Sequence, residues 1–187
     1  MNVADARAIL RHYDPVCVID PARKQAAVAI VLVPLGDTDS EILFIKRASH
    51  PTDPWSGQMA LPGGRRDADD ADLAATAIRE TREETGIDLA GVDLLGQLDD
   101  HAPVTPVLPP ILVRPFVFEV NSRPSIQPNH EVERYVWASI KGLMASEQDT
   151  RVRVRNMDLR VPAFHVAREV IWGMTHRIVA SFFDLWR

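Results

Sequence analysis

Residues 64–87, GRRDADDADLAATAIRETREETGI, decide how the fold is interpreted. A leading glycine, a run of good helix formers and Gly86 just beyond that run predict a turn followed by a helix. Glu80, Glu83 and Glu84 lie three and four residues apart on this helix, so their charges repel unless a cation lies between them. Magnesium prefers hard oxygen ligands and usually shares them with substrate phosphate. The stretch therefore predicts a magnesium site for a phosphate-containing substrate.

The predicted helix begins near Asp70 or Ala71 and has two faces. At 3.6 residues per turn, one face packs against the protein and the adjoining face points into a cleft. The packing face consists of Leu73, Ala74, Ala77, Ile78 and Thr81. The cleft face consists of Thr76, Glu80, Glu83 and Glu84. Arg79 is expected to hold a carboxylate or to steady the preceding loop through paired hydrogen bonds.

Composition limits the classes of protein that fit this chain. Its 187 residues are 46% hydrophobic and 25% charged, which is typical of one globular domain. A formal net charge of -5 argues against binding nucleic acid through its phosphates. The longest apolar run, residues 26–35, is shorter than the roughly 20 residues that cross a bilayer. Cys17 is the only cysteine, which favours a reducing compartment. We therefore expect a cytoplasmic protein without nucleic-acid or membrane partners.

Apolar periodicity along the rest of the chain predicts an α/β protein of the α+β kind rather than a doubly wound sheet. Residues 1–24 are expected to form a helical N-terminal extension, and residues 26–33 and 41–47 a β-hairpin. Further strands are expected at residues 58–61, 92–98, 111–120, 134–137 and 151–155. Helices are expected near residues 140–145 and over residues 166–187, where a long C-terminal helix would end the chain.

The acidic stretch resembles the box of the Nudix hydrolase family, G-x5-E-x7-R-E-U-x-E-E-x-G-U, in which U is a bulky apolar residue. Residues 79–87 match its second half, except that Thr81 occupies an apolar position. Gly64 matches the first glycine, Asp70 replaces the first glutamate, and the segment from Asp70 to Arg79 is one residue longer. The resemblance implies a single Nudix domain over residues 1–187, built as an α/β/α sandwich around a mixed sheet.

The resemblance also implies a role for each matching residue. Glu80 and Glu84 would bind Mg2+ or Mn2+ directly, Gly64 would add its backbone carbonyl, and Arg79 would orient the glutamates. Glu83 would be a further metal ligand or the proton acceptor. The reaction would be hydrolysis of a diphosphate linkage in a nucleoside diphosphate derivative. The choice of general base stays open between Glu83 and four residues on remote loops: Glu131, Glu133, Asp99 and Asp100.

Segments outside the box are similar to the coenzyme A pyrophosphatase branch of the family. They are residues 43–49, 56–64 and 171–175. That branch usually carries an Arg and a His just before the Gly-Gln segment, where this chain has Pro-Thr-Asp-Pro-Trp at residues 51–55. Cleavage of coenzyme A to 3',5'-ADP and 4'-phosphopantetheine is one expected reaction. ADP-ribose, nucleotide sugars and dinucleotides are alternative substrates, and the intact glutamates disfavour a non-catalytic nucleotide sensor.

Three side chains are candidates for contacting the substrate. Arg47 at a strand end and Arg65 in the box loop would bind phosphate, although either could be a solvated surface arginine. Trp55 would stack on a nucleobase or anchor its loop in the core. Four apolar residues of the C-terminal segment are expected to pack in the core or to form a homodimer interface: Trp172, Ile178, Phe182 and Trp186.

Overall fold

The computed structural model describes residues 2–20, 22–50, 55–103, 110–154 and 157–186. Within these ranges the centre of the molecule is a mixed sheet of seven strands. The strands are β1 (Lys24–Leu35), β2 (Asp39–Arg47), β3 (Met59–Ala60), β4 (Gly63–Arg65), β5 (Asp93–Gln97), β6 (Ile111–Glu119) and β7 (Val132–Ser139).

Strand β1 organises this sheet. The strand order is β3-β2-β1-β6-β5, with β4 paired to β1 and β7 paired to β2. The pairing of β1 with β6 is parallel and the other pairings are antiparallel. The expected β1–β2 hairpin is confirmed, because Leu32 pairs with Ile42 and Leu35 with Asp39. The short strand β4 was not expected from the sequence, and its pairing with β1 places the start of the box on the sheet.

Four helices lie in the described ranges: α1 (Val3–Leu10), α2 (Leu73–Thr85), α3 (Ile140–Ser146) and α4 (Gly173–Asp184). Alternate β1 side chains face opposite layers, as strand geometry requires. Ala29 and Val31 pack with α2, whereas Ile30 and Leu32 pack in the cluster that contains the apolar faces of α1, α3 and α4. The predicted α/β/α sandwich is therefore confirmed. None of the helices in these ranges is long and apolar enough to cross a membrane.

The C-terminal helix predicted over residues 166–187 is wrong in its first part. The chain there forms a three-stranded antiparallel sheet of β8 (Gln148–Val154), β9 (Met157–Val166) and β10 (Glu169–Trp172), and α4 begins only at Gly173. Ala167 and Arg168 both have positive φ, which is the geometry of a two-residue hairpin turn. Burial of Ile171 opposite Phe164 outweighs the helical spacing of the segment.

The N-terminal extension predicted over residues 1–24 is helical only in α1, and β1 already begins at Lys24. Beyond α1, the chain is held to the loop after β5 by side chains rather than by helical hydrogen bonds. The Asp99 carboxylate accepts hydrogen bonds from the Tyr13 hydroxyl at 2.7 Å and from the Val16 amide at 2.8 Å. Asp100 accepts one from the Val18 amide at 2.7 Å. These carboxylates favour an extended path over a helix.

Helix α2 begins at Leu73, two or three residues later than the sequence suggested. Asp72 is the N-cap, and its side chain accepts a hydrogen bond from the Ala75 amide at 2.8 Å. The other end is as predicted, because Gly86 adopts a left-handed conformation with φ 75°. The predicted packing face is confirmed by the burial of Leu73, Ala77 and Thr81.

Candidate active site

The glycines of strand β4 allow the acidic helix to approach the sheet. A Cβ added to Gly63 would lie 2.2 Å from the carbonyl oxygen of Ala27, and its φ of 149° also disfavours other residues. A Cβ added to Gly64 would lie 2.4 Å from the Cδ atom of Glu80. Only glycine fits at position 63, where the clash is with backbone atoms. At position 64 a larger residue would displace the Glu80 carboxylate, which lies directly against the strand backbone.

Glu84 is the most deeply buried carboxylate of the box, with 1% of its surface exposed. Its Oε2 atom accepts a hydrogen bond from the Gly63 amide at 2.8 Å, and its Oε1 atom lies 4.0 Å from Arg47 Nη1. These contacts do not fully compensate the charge. Burial raises the pKa of the Glu84 carboxyl to about 8, and the nearby Glu80 and Glu131 charges add to that effect.

Arg79 connects the carboxylates on the other side of α2. Its guanidinium forms a paired interaction with Asp70, in which Nε and Nη2 each donate at 2.9 Å. Nη1 donates to Glu80 at 2.9 Å and to Glu83 at 3.2 Å, and Nη2 donates to the Arg65 carbonyl at 3.0 Å. Arg79 thus joins the loop after β4 to the helix, which includes both contacts expected for it.

Asp70 precedes α2 instead of belonging to its first turn. Its Oδ2 atom also accepts hydrogen bonds from the Asp67 amide at 2.9 Å and from the Thr76 hydroxyl at 2.8 Å. The Arg79 guanidinium holds the pKa of the Asp70 carboxyl well below its usual range. Thr76 was expected on the cleft face. It is instead fully buried, where its hydroxyl donates to the Asp70 carboxylate.

The three glutamates occupy different environments. Burial raises the pKa of Glu80, whose side chain is 16% exposed, while the Arg79 contact acts in the opposite direction. The Glu83 side chain is 51% exposed, and the contact described for it is the one to Arg79. Glu80 and Glu84 therefore face one site together, and Glu83 lies toward solvent.

A cavity of about 430 Å³ adjoins Glu80 and Glu84. It brings together most of the side chains that the sequence nominated, from strands, loops and α2 that are distant in sequence. Its walls include Arg47, Trp55, Gly64, Arg65, Glu80, Glu84 and Glu131. Arg79 and Glu83 are not part of the wall. Trp55 is half-buried here, whereas residues 51–54 of the same predicted loop lie outside the described residues.

Gln58, Met174 and Thr175 are among the wall residues that were not nominated individually. Thr175 also donates a hydrogen bond to the Met59 carbonyl at 3.2 Å, which ties α4 to β3. A signal for them was present, because they lie in residues 56–64 and 171–175, two of the three segments that resemble the coenzyme A branch. The pattern marked the segments, but it did not show that they meet.

The candidates for a general base separate on geometry. Asp99 is engaged by the N-terminal segment, and Asp100 makes a paired interaction with Arg114 at 2.7 Å. Glu133 lies 3.3 Å from Lys46 and is not a wall residue. Of the four remote candidates, Glu131 is the one that lines the cavity.

A sequence model of the NUDIX domain matches residues 23–157 of the chain. The chain belongs to the Nudix family. Mitochondrial coenzyme A diphosphatase NUDT8 of Mus musculus is 29% identical over 164 residues, which cover 82% of this chain and 75% of that protein. The uncharacterized Nudix hydrolase NudL of Photorhabdus laumondii is 30% identical over 161 residues, which cover 81% of this chain and 80% of that protein.

Other relatives are matched over a shorter part of their length. An uncharacterized Schizosaccharomyces pombe protein is 37% identical over 118 residues, which cover 60% of this chain and 36% of that protein. The chain thus spans about a third of that relative. The fold agrees with a crystal structure of a MutT/nudix family protein from Enterococcus faecalis, with a TM-score of 0.59, 13% identity, and coverage of 100% of this chain and 70% of that chain.

Nudix enzymes generally use divalent metal ions, and the donor set here fits such an ion. The Glu80 carboxylate lies against Gly64, and the Glu84 carboxylate accepts a hydrogen bond from the adjacent Gly63 amide. Carboxylate oxygens are hard donors. Magnesium is usually held by one or two carboxylates plus substrate phosphates. Within the described ranges, no group of three or more His, Cys, Asp or Glu side chains is arranged to hold a metal ion.

Proposed function

We propose that this Nudix protein hydrolyses a diphosphate linkage in a nucleoside diphosphate derivative with the help of Mg2+ or Mn2+. The main support is Glu84, a carboxylate that is almost completely buried and yet lines a cavity next to Glu80 and Arg47. Such an uncompensated buried charge is costly unless a cation binds it. The NUDIX domain and relatives that are named Nudix hydrolases also support an enzyme of this class.

In this proposal Glu80, Glu84 and the Gly64 carbonyl hold the metal ion. When bound, the ion supplies charge shielding for the diphosphate and a lower pKa for water. Arg79 acts as a positioning residue, because its hydrogen bonds fix Glu80 relative to the loop. Arg47 and Arg65 line the cavity and would pair with phosphate oxygens.

A carboxylate must accept the proton of the attacking water. We propose Glu131 for this role because it lines the cavity, and we keep Glu83 as the alternative within the box. The water oxygen forms a bond to one phosphorus atom, and the bond from that phosphorus to the bridging oxygen breaks. The base takes one water proton and the bridging oxygen leaves on the second phosphate. The products are two phosphate monoesters.

Coenzyme A is the substrate that we propose first. The segments that resemble the coenzyme A branch contribute Gln58, Met174 and Thr175 to the cavity wall, next to the candidate metal site. NUDT8, which aligns with most of this chain, is named a coenzyme A diphosphatase. ADP-ribose, nucleotide sugars and dinucleotides contain the same linkage and remain the alternative substrates.

A substrate panel with Mg2+ and with Mn2+ tests this proposal. We expect coenzyme A to yield 3',5'-ADP and 4'-phosphopantetheine, identified by chromatography and mass spectrometry. Cleavage of ADP-ribose or a dinucleotide without cleavage of coenzyme A would reject the substrate and keep the reaction. Binding of nucleotides without turnover of any panel member would favour a nucleotide sensor and overturn the proposed hydrolase activity.

Two other expectations remain proposals. A homodimer through α4 would need an apolar face that is free, but Ile178 and Phe182 are buried inside their own chain. We therefore propose no particular surface for it. A cytoplasmic location rests only on the single cysteine and the sequence patterns described above.

A further inference from the structure

A second, larger cavity of about 960 Å³ lies beside the first one. Its walls come from the segment before β1, the start of β1 and the loop after β4. Arg65 is a wall residue of both cavities, so the two cavities are neighbours at this residue.

Strand pairing determines which side chains meet in the second cavity. Ala26 of β1 pairs with Arg65 of β4, and the Arg66 amide donates to the Gln25 carbonyl at 3.0 Å. This register places Lys24 and Gln25 beside Arg65 and Arg66 at one end of the sheet. All four are wall residues.

The cations of this wall are unequally compensated. Arg23 pairs with Asp20 at 3.0 Å, and Arg114 pairs with Asp100 at 2.7 Å. Neither adds free positive charge to the cavity. The wall contains one further acid, Asp67, which lies 3.8 Å from Arg79.

Three cations of this wall have no acidic partner among the described residues. The side chains of Lys24 and Arg65 make no hydrogen bond or ion pair with any other residue that the structure describes. Among the described residues, the Arg66 side chain donates only to neutral acceptors, namely the Gln25 side chain and the carbonyls of Asp70 and Ala71. The wall therefore carries a local surplus of positive charge on a chain whose formal net charge is -5.

We propose that this second cavity binds a phosphate monoester that the substrate carries in addition to its diphosphate. The inference rests on the proposed function, because the diphosphate must lie in the first cavity for Arg65 to connect the two. A dianionic phosphate matches a point charge from Lys24 together with the planar donors of Arg65 and Arg66. The enzyme would thus prefer nucleoside diphosphate derivatives with a phosphorylated ribose.

Substrate pairs that differ only by this phosphate provide the test. One pair is coenzyme A and dephospho-coenzyme A, and the other is NADPH and NADH. We expect the wild-type protein to cleave the phosphorylated member with the higher kcat/KM. Lys24→Gln should lower kcat/KM for that member about tenfold, through KM, and leave the other member within about twofold. Lys24 lines only the second cavity, so the candidate metal site is untouched.

Lys141→Gln is the matched control, since Lys141 is also exposed but lines neither cavity. It should affect both members equally and weakly. An equal effect of the two variants would attribute the loss to net charge and overturn the inference. A wild-type protein that does not distinguish the members would also overturn it, while the proposed hydrolysis would stand.

A binding measurement separates failure of the inference from failure of the proposed function. Calorimetry with adenosine 3',5'-diphosphate and with AMP needs no turnover. If the wild type binds adenosine 3',5'-diphosphate more tightly than AMP and Lys24→Gln does not, phosphate binding in the second cavity is supported even if no substrate is cleaved. Equal affinities overturn it. Equally tight binding of inorganic phosphate, also lost in the variant, would identify a free-anion site and overturn the inference.

Discussion

The buried carboxylates on the two sides of helix α2 differ in their partners and in the direction of their pKa shifts. On one side Asp70 has a paired contact to Arg79 and two further hydrogen-bond donors, and its pKa is held low. On the other side Glu84 has the Gly63 amide and a distant Arg47, and its pKa is raised. Both carboxylates are buried. The first side stabilises the fold, whereas the second lowers stability and leaves a site where a cation is favoured.

Removing the charge of Glu84 should have the largest effect on activity. Glu84→Gln keeps the size of the side chain and one acceptor for the Gly63 amide. We expect diphosphate hydrolysis to fall about a thousandfold, since metal charge stabilisation is worth several kcal/mol. Steady-state rates at saturating Mg2+ measure this loss. Without metal, the variant should be as stable as the wild type or more stable, because the buried charge is gone.

Glu133→Gln is the matched control for that variant, because Glu133 lies outside the cavity wall. Its rate should stay within about twofold of the wild-type rate. If Glu84→Gln retained full activity, the metal assignment would fail. If it unfolded, the contrast between the two sides of α2 would be wrong.

Breaking the other side should reduce stability instead. Asp70→Asn leaves the Arg79 guanidinium without its charged partner and disrupts a buried network. We expect a loss of about 2 kcal/mol in the free energy of unfolding, or about 6 °C in Tm. Thermal and denaturant unfolding at pH 7 would measure it. Asp69→Asn removes an exposed charge nearby and should change Tm by less than about 2 °C.

The pH dependence of this loss has a definite sign. The folded-state pKa of Asp70 is lowered, so its contribution is complete above the unfolded value of 3.8 and disappears as the pH falls through the folded value. The difference in stability between wild type and Asp70→Asn should therefore shrink progressively as the pH falls below 3.8. A constant difference across that range would contradict the role of the Asp70 charge.

The metal-free protein should show the opposite trend near neutrality. The folded-state pKa of Glu84 is raised to about 8, so the folded state binds the proton more tightly than the unfolded state does. Relative to Glu84→Gln, stability should then fall as the pH rises from about 5 to 8, by up to about 1.4 kcal/mol per pH unit, or roughly 3–5 °C in Tm per unit. Comparison with the variant removes the contribution of His101, whose lowered pKa acts in the other direction.

Magnesium should reverse this trend. Because metal binding requires the ionised carboxylate, Mg2+ should raise Tm more at pH 8 than at pH 6 in the wild type, and at neither pH in Glu84→Gln. Calorimetry with and without a chelator would measure the effect of Mg2+ on Tm at each pH. If Tm changed with pH to the same extent in the wild type and in Glu84→Gln, Glu84 would not titrate in this range.

The sequence predicted the elements whose signal is local. The β-branched run of β1, the glycine that ends α2 and the spacing of its glutamates each depend on a few neighbouring residues. The family is confirmed by the match over residues 23–157, and the sandwich by the two layers that cover the sheet. The assignment of Glu80, Glu83, Glu84 and Gly64 as metal ligands stays a prediction.

The failures have a common cause in contacts that are distant in sequence. Residues 166–172 have an apolar spacing that suits a helix, but pairing with β9 determines a strand. The environment of Asp70 depends on Arg79, nine residues away, and on the Thr76 hydroxyl. Glu83 and Glu84 are adjacent, yet only the position of β4 makes one exposed and the other buried. Periodicity contains no information on which neighbour covers a face.

The loop between Arg65 and Asp70 is held at both ends. Its length therefore does not determine where the glutamates of α2 lie. The Gly63 amide holds Glu84 before the loop begins, and Arg79 holds the Arg65 carbonyl and Asp70 on either side of it. An added residue after Ala68 leaves these anchors and the contacts of Arg66 and Asp67 in place. The cost of a longer loop grows slowly with its length. Insertions after Ala68 should therefore be tolerated by the fold, which makes this position suitable for a peptide tag or a fluorescent label.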